Sequence, residues 1–196
     1  AEMIAKTTKK EQSRRRILDS SARRIRERGI SGTSVAEVMD GAGMTVGGFY
    51  AHFPSKDALV AETVTEAMRQ ARANLCAAAG DSRGAEWLRA AARSYLSRAH
   101  RDNPSPGCPL PATAGEIARA DPPVRRALAA GIEEVAGEIA THEREAGRDE
   151  SRAEALAALA MMVGGLTLAR AIEGTPLSDE LLKACRDHVD RCLGDK

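Results

Sequence analysis

The sequence predicts an all-α protein. Its 196 residues are rich in alanine, and only 3% of them are aromatic. Apolar residues recur at intervals of three and four positions, which is the spacing of one face of an α-helix. Runs of β-branched residues, which are typical of strands, are scarce. We therefore expect a chain long enough to bury a real core, whose helices pack closely through small side chains.

The first helix is predicted from about Glu11 to Arg28. Gly29 follows it directly, and glycine commonly ends a helix because it adopts backbone conformations that other residues avoid. The apolar stripe that this helix would bury consists of Ile17, Leu18, Ala22 and Ile25.

Two short helices joined by a glycine-containing turn are predicted next. Ser34 followed by Glu37 is the signature of a capping box at the start of the first of them. Thr45 is the predicted N-cap of the second, although Gly47 and Gly48 lower its helical propensity. The apolar faces of the two helices consist of Val35, Val38, Met39 and Ala42, and of Val46, Phe49, Tyr50 and Phe53.

This pair of helices predicts a helix-turn-helix, whose second helix can lie in the major groove of DNA. Residues 1–56 contain eleven Lys or Arg and six Asp or Glu, a net charge of +5, so the remainder is net −4 in a chain of +1. Lysine and arginine near phosphates release counterions and so favour DNA binding. A solvated, charged helix face is the alternative interpretation of the charge alone.

The rest of the chain is predicted to be helical as well. Gly80–Gly84 is expected to be a loop and Asp102–Pro111 a proline-rich break, while Asp121 and the two prolines after it start a long helix. Ser178 is the predicted cap of the last helix. The predicted helices are 55–79, one containing Trp87 to Leu96, 113–119, 122–145, 152–173 and 178–193.

The last two helices are predicted to form a dimer interface over about residues 152–193. Small residues at Ala157, Ala160 and Gly164 allow close contact between helices. Two such helices from each of two chains can form a four-helix bundle. The alternative is that they only close the core of the monomer.

The four cysteines are expected to be thiols, because their spacing shows no Cys-x-x-Cys motif and no secretory segment is apparent. Cys185 and Cys192 are expected in the core. We predict no metal site and no cofactor, since the four histidines form no ligand cluster. No apolar run looks long enough to span a bilayer, so we expect a cytoplasmic protein without a membrane partner.

The segment from about Arg14 to Ala61 resembles the TetR family of bacterial transcriptional regulators. The resemblance depends on the first helix ending at Gly29 and on the motif Phe-Tyr-x-His-Phe-x-x-Lys-x-x-Leu, which runs from Phe49 to Leu59. It implies a helix-turn-helix DNA-binding domain over 1–54, called the head below. It also implies a larger helical ligand-binding and dimerisation domain over 55–196, called the body.

The resemblance further implies a homodimeric repressor that binds a palindromic operator in double-stranded DNA and is released by a small molecule. Thr45, Val46 and Gly47 correspond to groove-facing positions, and Ser34 lies where members commonly meet the DNA backbone. Tyr50, His52 and Lys56 correspond to phosphate contacts. Ala51 departs from the family pattern, because many members have a second tyrosine there.

The chemistry of these side chains agrees with the implied roles. Tyr50 and His52 can donate to phosphate oxygens, and Lys56 supplies a point charge. The helix has no Arg, Asn or Gln for bidentate base recognition, so part of the specificity is expected from DNA shape and water. The alternatives are a core aromatic for Tyr50 and a packing histidine for His52; Phe49 and Phe53 are assigned to the core.

A ligand cavity is expected between the helices of the body. The candidate lining residues are Met68, Trp87, Tyr95, Met161 and Met162, although such residues are more often ordinary core residues. Cys108 lies in an irregular loop and is a candidate sensor of electrophiles, with an inert thiol as the favoured alternative because no basic residue adjoins it in sequence.

Two other functions remain open at this point. A protein that organises DNA without sequence preference would also have a basic head. An all-helical enzyme using Cys108 or a histidine is less favoured, because no nucleophile–base pair, paired carboxylates or metal constellation is recognisable.

Overall fold

A computed structural model describes residues 8–145 and 151–194 of the chain. Over these residues it contains nine α-helices and one 3₁₀ helix and no strand, which confirms the all-α class. Glu2 and Lys6, which contribute to the charge of the head, lie outside the described residues. The helices are α1 (Lys9–Arg28), α2 (Val35–Gly41), the 3₁₀ helix (Val46–Ala51), α3 (Lys56–Ala79), α4 (Gly84–Tyr95), α5 (Arg98–Asp102), α6 (Leu110–Ile117), α7 (Pro122–Glu145), α8 (Ser151–Ala171) and α9 (Pro176–Gly194).

Reciprocal capping boxes start the first two helices. At α2, the Glu37 amide donates to Ser34 Oγ at 3.2 Å while the Ser34 amide donates to Glu37 Oε2 at 2.9 Å, as predicted. The same motif at Thr8 and Glu11 starts α1 two residues before the predicted position. Each box satisfies amide groups that have no partner inside the helix.

The head closes around a small core of its own. Phe49 and Phe53 are 2% and 0% exposed, which confirms their assignment to the core. They pack with residues of α1 and α2 and with Leu59 from the second turn of α3, so α3 contributes to the cores of both head and body. The other core residues of the head are Ile17, Val38, Met39 and Ala42.

The body is a bundle in which α7 packs along α3 and is flanked by α4 and α8, while α9 packs on α8 and α4. The crossing of α3 and α7 depends on a glycine, because a Cβ on Gly131 would lie 2.6 Å from the Cβ of Met68. The buried centre of the body includes Trp87, Leu96, Ile139 and Leu166, which are at most 3% exposed.

Several local predictions were wrong. The third helix is a 3₁₀ helix, and Thr45 occupies its N-cap position without a capping hydrogen bond from its side chain. The short helix predicted from Thr113 begins at Leu110, because Pro111 is accommodated in its first turn. A further helix, α5, follows Leu96, where Ser97 Oγ accepts from the His100 amide at 3.1 Å.

Ser178 does not cap α9, because that helix already begins at Pro176. The Ser178 side chain is fully buried, and its hydroxyl donates to the carbonyl of Ala169 in α8 at 2.7 Å and accepts from Arg101 at 2.8 Å. The residue therefore joins α9 to α8 and α5.

The last two cysteines of the chain differ in their burial. Cys185 is half-buried against the core of the body, but Cys192 is exposed, which corrects the prediction that both are core residues.

The helix α8 is more apolar than expected. Within the described residues, it is the one helix long and apolar enough to cross a membrane by length and composition, with a mean hydropathy of 1.4, so the prediction that no run is long enough was wrong. A third of that window is buried. Its inner side belongs to the core of the body, through Ala155, Leu159, Met162, Leu166 and Ala169.

Candidate nucleic-acid interface and ligand cavity

The 3₁₀ helix anchors one aromatic ring and exposes its neighbours. Phe49 is buried and stacks on Phe53 at a centroid distance of 5.9 Å, which fixes the helix to the head. Tyr50 is 78% exposed and Val46 is 51% exposed. The alternative of a core position for Tyr50 is therefore excluded. The side chains of Val46 and Tyr50 both extend into solvent from a helix that buried Phe49 anchors.

Three of the other predicted contact positions are also exposed. Thr45 and Gly47 are exposed beside Val46 on the 3₁₀ helix. A Cβ on Gly47 would meet nothing within 4 Å, so the surface there is open. Ser34 is exposed at the start of α2, but its hydroxyl already donates to Glu37 Oε2 at 2.8 Å.

A carboxylate lies close to that helix start. Glu37 pairs with Arg28 at 3.2 Å and lies 4.0 Å from Arg24. Hydrogen bonds from the Ser34 backbone and hydroxyl lower the pKa of Glu37, with smaller contributions from the two arginines. The ionised carboxylate offsets part of the basic charge of α1 here.

The side chains of His52 and Lys56 both lie partly buried against the head. His52 is half-buried, and its Nδ1 is buried without a hydrogen-bond partner among the described residues. Lys56 Nζ donates to the carbonyl of Ile30 at 3.2 Å, so its ammonium group ties the start of α3 to the turn after α1. Neither side chain therefore extends freely into solvent.

Arg14 is a residue of this site that sequence reasoning missed. Its guanidinium donates to the carbonyl of His52 at the end of the 3₁₀ helix and pairs with Glu62 of α3. It also lies over the ring of Phe53, 4.2 Å from the centroid, which is the geometry of a cation–π contact. Its position one turn before Ile17, on the inner stripe of α1, was the signal that could have revealed it.

Two cavities lie in the body and divide the candidate ligand residues between them. The larger, about 450 Å³, lies among α4, α7, α8 and α9 and is lined by Trp87, Met161 and Met162. The smaller, about 320 Å³, is lined by Tyr95 and Cys108. Met68 lines neither, because it packs in the core against Gly131 of α7.

Comparison with known proteins decides the family. A family model described as bacterial regulatory proteins of the tetR family matches residues 17–63. A second model, described as a tetracyclin repressor-like C-terminal domain, matches residues 84–185, which is over half of the chain. The chain belongs to the TetR family. It is therefore a ligand-responsive, DNA-binding transcriptional regulator, and regulators of this family are generally not enzymes.

Solved structures of other TetR-family proteins share the fold. A TetR transcriptional regulator from Chloroflexus aurantiacus is 26% identical, with a TM-score of 0.80 over 96% of this chain and 97% of that one. The reduced form of NemR from E. coli is 19% identical, with a TM-score of 0.79 over 91% and 95%. A regulator from Cytophaga hutchinsonii is 20% identical, with a TM-score of 0.80 over 95% and 98%. No curated protein matches the sequence.

In this TetR-family chain the head is joined to the body through α6. Glu116 Oε1 accepts from the Ile30 amide at 2.9 Å, and Oε2 accepts from the Ser31 amide at 2.7 Å and from the Ser31 hydroxyl. Sequence reasoning missed this contact, because the two partners are 85 positions apart. A carboxylate of the body thus holds the turn between α1 and α2 of the head.

A buried arginine makes a second connection from α1. Arg26, which is 3% exposed, donates to the Ala67 carbonyl at 3.1 Å and to Gln70 Oε1 at 2.9 Å, both on α3. Burial lowers the pKa of Arg26, although an arginine remains charged at neutral pH. The guanidinium therefore fixes α1 of the regulator against the middle of α3.

The surroundings of Cys108 favour the inert thiol. The residue is buried, and burial raises the pKa of its thiol, so the reactive thiolate is disfavoured. Its amide donates to His100 Nε2 at 3.1 Å, while His100 Nδ1 lies 2.8 Å from the Tyr95 carbonyl. Burial lowers the pKa of His100, which fits the neutral ring that this pair of contacts requires.

Proposed function

We propose that the protein is a homodimeric repressor whose two heads bind a palindromic operator in double-stranded DNA. The observation that carries the proposal is the projection of Tyr50 and Val46 from a 3₁₀ helix anchored by buried Phe49. In a helix-turn-helix, the second helix enters the major groove and the flanking groups contact the backbone. DNA binding places its action in the cytoplasm.

We assign the predicted contacts within that surface as follows. Thr45, Val46 and Gly47 face the bases, where Val46 offers apolar contact to a thymine methyl. Tyr50 donates to a phosphate from its exposed hydroxyl. The remaining phosphate contacts are Ser34, His52 and Lys56. Because none of the groove-facing side chains reads a base bidentately, DNA shape and bridging water supply part of the specificity.

The proposed dimer interface is the outer side of α8 together with α9, within about residues 152–193. Ala160 is exposed there, Leu168 is 58% exposed and Leu177 is 57% exposed, while Ala157 is exposed beside the larger cavity. A Cβ on Gly164 would meet nothing within 4 Å, so another helix can approach closely. An apolar face of this kind is stabilised when a second copy covers it through a two-fold axis.

We propose that a small molecule bound in the body releases the operator, with the head and body divided near residue 54. The cavity lined by Trp87, Met161 and Met162 is the preferred site, because it is the larger of the two and its volume of about 450 Å³ falls within the range of small-molecule sites. Tyr95 and Cys108 line the second candidate cavity. Met68, which is 2% exposed, acts as core packing between α3 and α7.

Selection of bound duplexes from a random library by gel shift, at several salt concentrations, tests the proposal. We expect an enriched palindrome whose binding survives scrambled competitor and falls steeply with salt. Tyr50→Phe serves as the matched variant, since it removes one hydroxyl and keeps the ring. Salt-sensitive binding without an enriched sequence would instead indicate a protein that organises DNA, and absence of binding would refute both interpretations.

A further inference from the structure

A groove of about 820 Å³ lies between the head and the body. Part of its lining is a stripe on one face of α1, at intervals of three and four positions: Arg16, Asp19, Arg23 and Arg26. A second part is the end of α2 and the turn after it, at positions 40–43. The third part belongs to the body and consists of Gln70, Asn74, Ser105 and Pro106. A molecule bound in this groove can touch the head and the body together.

Two arginines of that stripe, Arg16 and Arg23, have no partner among the described residues. Both are exposed, and neither side chain forms an ion pair or a hydrogen bond there. The guanidinium of Arg16 lies against the turn, since its Nη2 is 2.7 Å from the position that a Cβ on Gly43 would occupy. A guanidinium group carries several donors in one plane, and this arrangement matches the oxygens of a phosphate.

The third arginine of the stripe is a buried positive charge with uncharged partners. Arg26 is 3% exposed, and its hydrogen bonds go to the carbonyls of Ala67 and Ser105 and to Gln70 Oε1. Its Nε is buried without a hydrogen-bond partner among the described residues. A buried charge is costly unless a charge of opposite sign lies close to it, so an anion in the groove would stabilise this guanidinium.

Two aspartates limit the positive charge of the groove. Asp19 accepts from Gln70 Nε2 at 3.3 Å, and Asp40 is exposed at the end of α2. Three arginines and two aspartates give the lining a net charge of +1. Such a site attracts a carboxylate only weakly, whereas a phosphate group presents more charge and more acceptor oxygens to the guanidinium groups.

The groove is separate from the surface that is proposed to meet DNA. None of the predicted DNA contacts, from Ser34 to Lys56, lines it. Its volume lies within the range of small-molecule sites. A small molecule therefore suits the groove better than the backbone of a duplex does.

We propose that this groove binds the phosphate group of a small phosphorylated molecule, with Arg16 and Arg23 as donors and Arg26 as the buried positive charge beside them. This ligand is distinct from the one proposed for the cavities among the helices of the body, because the lining here includes α1 and the turn after α2. The regulator thus has a second ligand site at the junction of head and body.

Pyrophosphate is a suitable probe, because it is small and its charge and oxygens are those of linked phosphate groups. Calorimetric titration of the full-length protein in metal-free buffer, at about 0.1 M salt, should show saturable binding at one site per chain with a dissociation constant below about 1 mM. Sulfate at the same ionic strength should bind about tenfold more weakly, because it carries less charge. Absence of saturable pyrophosphate binding, or equal binding of sulfate, would overturn the proposal.

Arg16→Gln and Arg23→Gln should each weaken pyrophosphate binding by about fivefold or more, because each removes a charged donor. Both positions are exposed, so the variants should fold. Arg93→Gln is the matched control, since Arg93 is an exposed residue of α4 that does not line the groove. Unchanged affinity in both lining variants, or an equal loss in the control, would contradict the assignment.

Gel shifts with Arg23→Gln distinguish a small phosphorylated molecule from the phosphates of DNA. The salt slope of DNA binding should equal that of the wild type, because Arg23 does not contact the duplex in this proposal. A slope reduced by about one would assign Arg23 to the DNA backbone and overturn the proposal. The titration with pyrophosphate contains no DNA, so its outcome is independent of whether the protein represses an operator.

Discussion

Glu116 provides the most direct test of how the body is connected to the head. Replacing Glu116 by alanine removes the acceptor of the Ile30 and Ser31 amides and of the Ser31 hydroxyl. Alanine is a good helix former, so α6 itself should persist. The change therefore isolates the contact between α6 and the turn after α1.

The magnitude follows from the exposure of the donors. A hydrogen bond to a charged group contributes about 1.5–3 kcal/mol when it is shielded from water. Ser31 is exposed, so water can replace both of its contacts, whereas the Ile30 amide is half-buried. One shielded hydrogen bond is therefore lost, and we expect Glu116→Ala to lower the free energy of unfolding by about 1–2 kcal/mol.

Urea unfolding of Glu116→Ala, Ser31→Ala and the double variant measures this contact as a cycle. Ser31→Ala removes only the exposed hydroxyl contact, so it should change stability by less than about 0.5 kcal/mol, and the double variant should lose about as much as Glu116→Ala alone. Glu134→Ala, at an exposed position of α7, controls for loss of a carboxylate and should change stability by less than about 0.5 kcal/mol. A loss below about 0.5 kcal/mol in Glu116→Ala would show that the contact does not contribute in solution.

The same contact gives a dependence on pH. Burial acts to raise the pKa of Glu116, but hydrogen bonds from the Ser31 hydroxyl and from the Ser31 and Ile30 backbone outweigh it, so the pKa is lowered from its ordinary value of 4.5. The stabilisation should be complete above that value and disappear as the pH falls through the lowered pKa. A difference between wild type and Glu116→Ala that stays constant down to pH 3 would refute this reasoning.

Three further changes test the DNA surface and the dimer. Lys56→Ala should weaken binding equally across DNA sequences and reduce the salt slope by about one; an unchanged slope would remove Lys56 from the phosphate contacts. Arg14→Gln should weaken operator binding without altering the slope, because its guanidinium contacts His52 and Glu62, and a reduced slope would show direct phosphate contact instead. Gly164→Trp should give monomers in sedimentation, whereas Gly137→Trp, also on an open helix face, should leave dimers intact. Dimers in both variants would exclude the outer side of α8 from the interface.

The core of the head could be predicted because it depends on local spacing. Val38, Met39, Phe49 and Phe53 recur at helical intervals, and their burial follows from that pattern. The capping box at Ser34 is equally local, since its partner lies three residues away. Short-range regularity of this kind is visible in a single sequence.

The 3₁₀ helix and the start of α9 were not predictable in the same way. Gly47 and Gly48 weaken an α-helix, but the 3₁₀ geometry that replaces it goes together with the burial of the Phe49 ring, which depends on the rest of the head. Ser178 has the composition of a cap, yet its hydroxyl is taken by Ala169 of the preceding helix. In both places a tertiary contact prevails over local propensity.

The contacts that join the parts of the molecule are distant in sequence. Arg14 meets His52 across 38 positions, and Ser31 meets Glu116 across 85. The cavity likewise arises where four separate helices come together, so only part of its lining could be inferred from residue type. No spacing rule relates such residues.

The open position at Gly47 has a consequence for how such a regulator can change its targets. Its backbone does not lie in the left-handed region that favours glycine, and a side chain added there would meet no atom of the protein. A single substitution by arginine, asparagine or glutamine would thus add a base-reading group at this proposed groove position at little cost to folding. The head could therefore acquire specificity for a new operator by gaining one side-chain contact, without the prior loss of an existing contact.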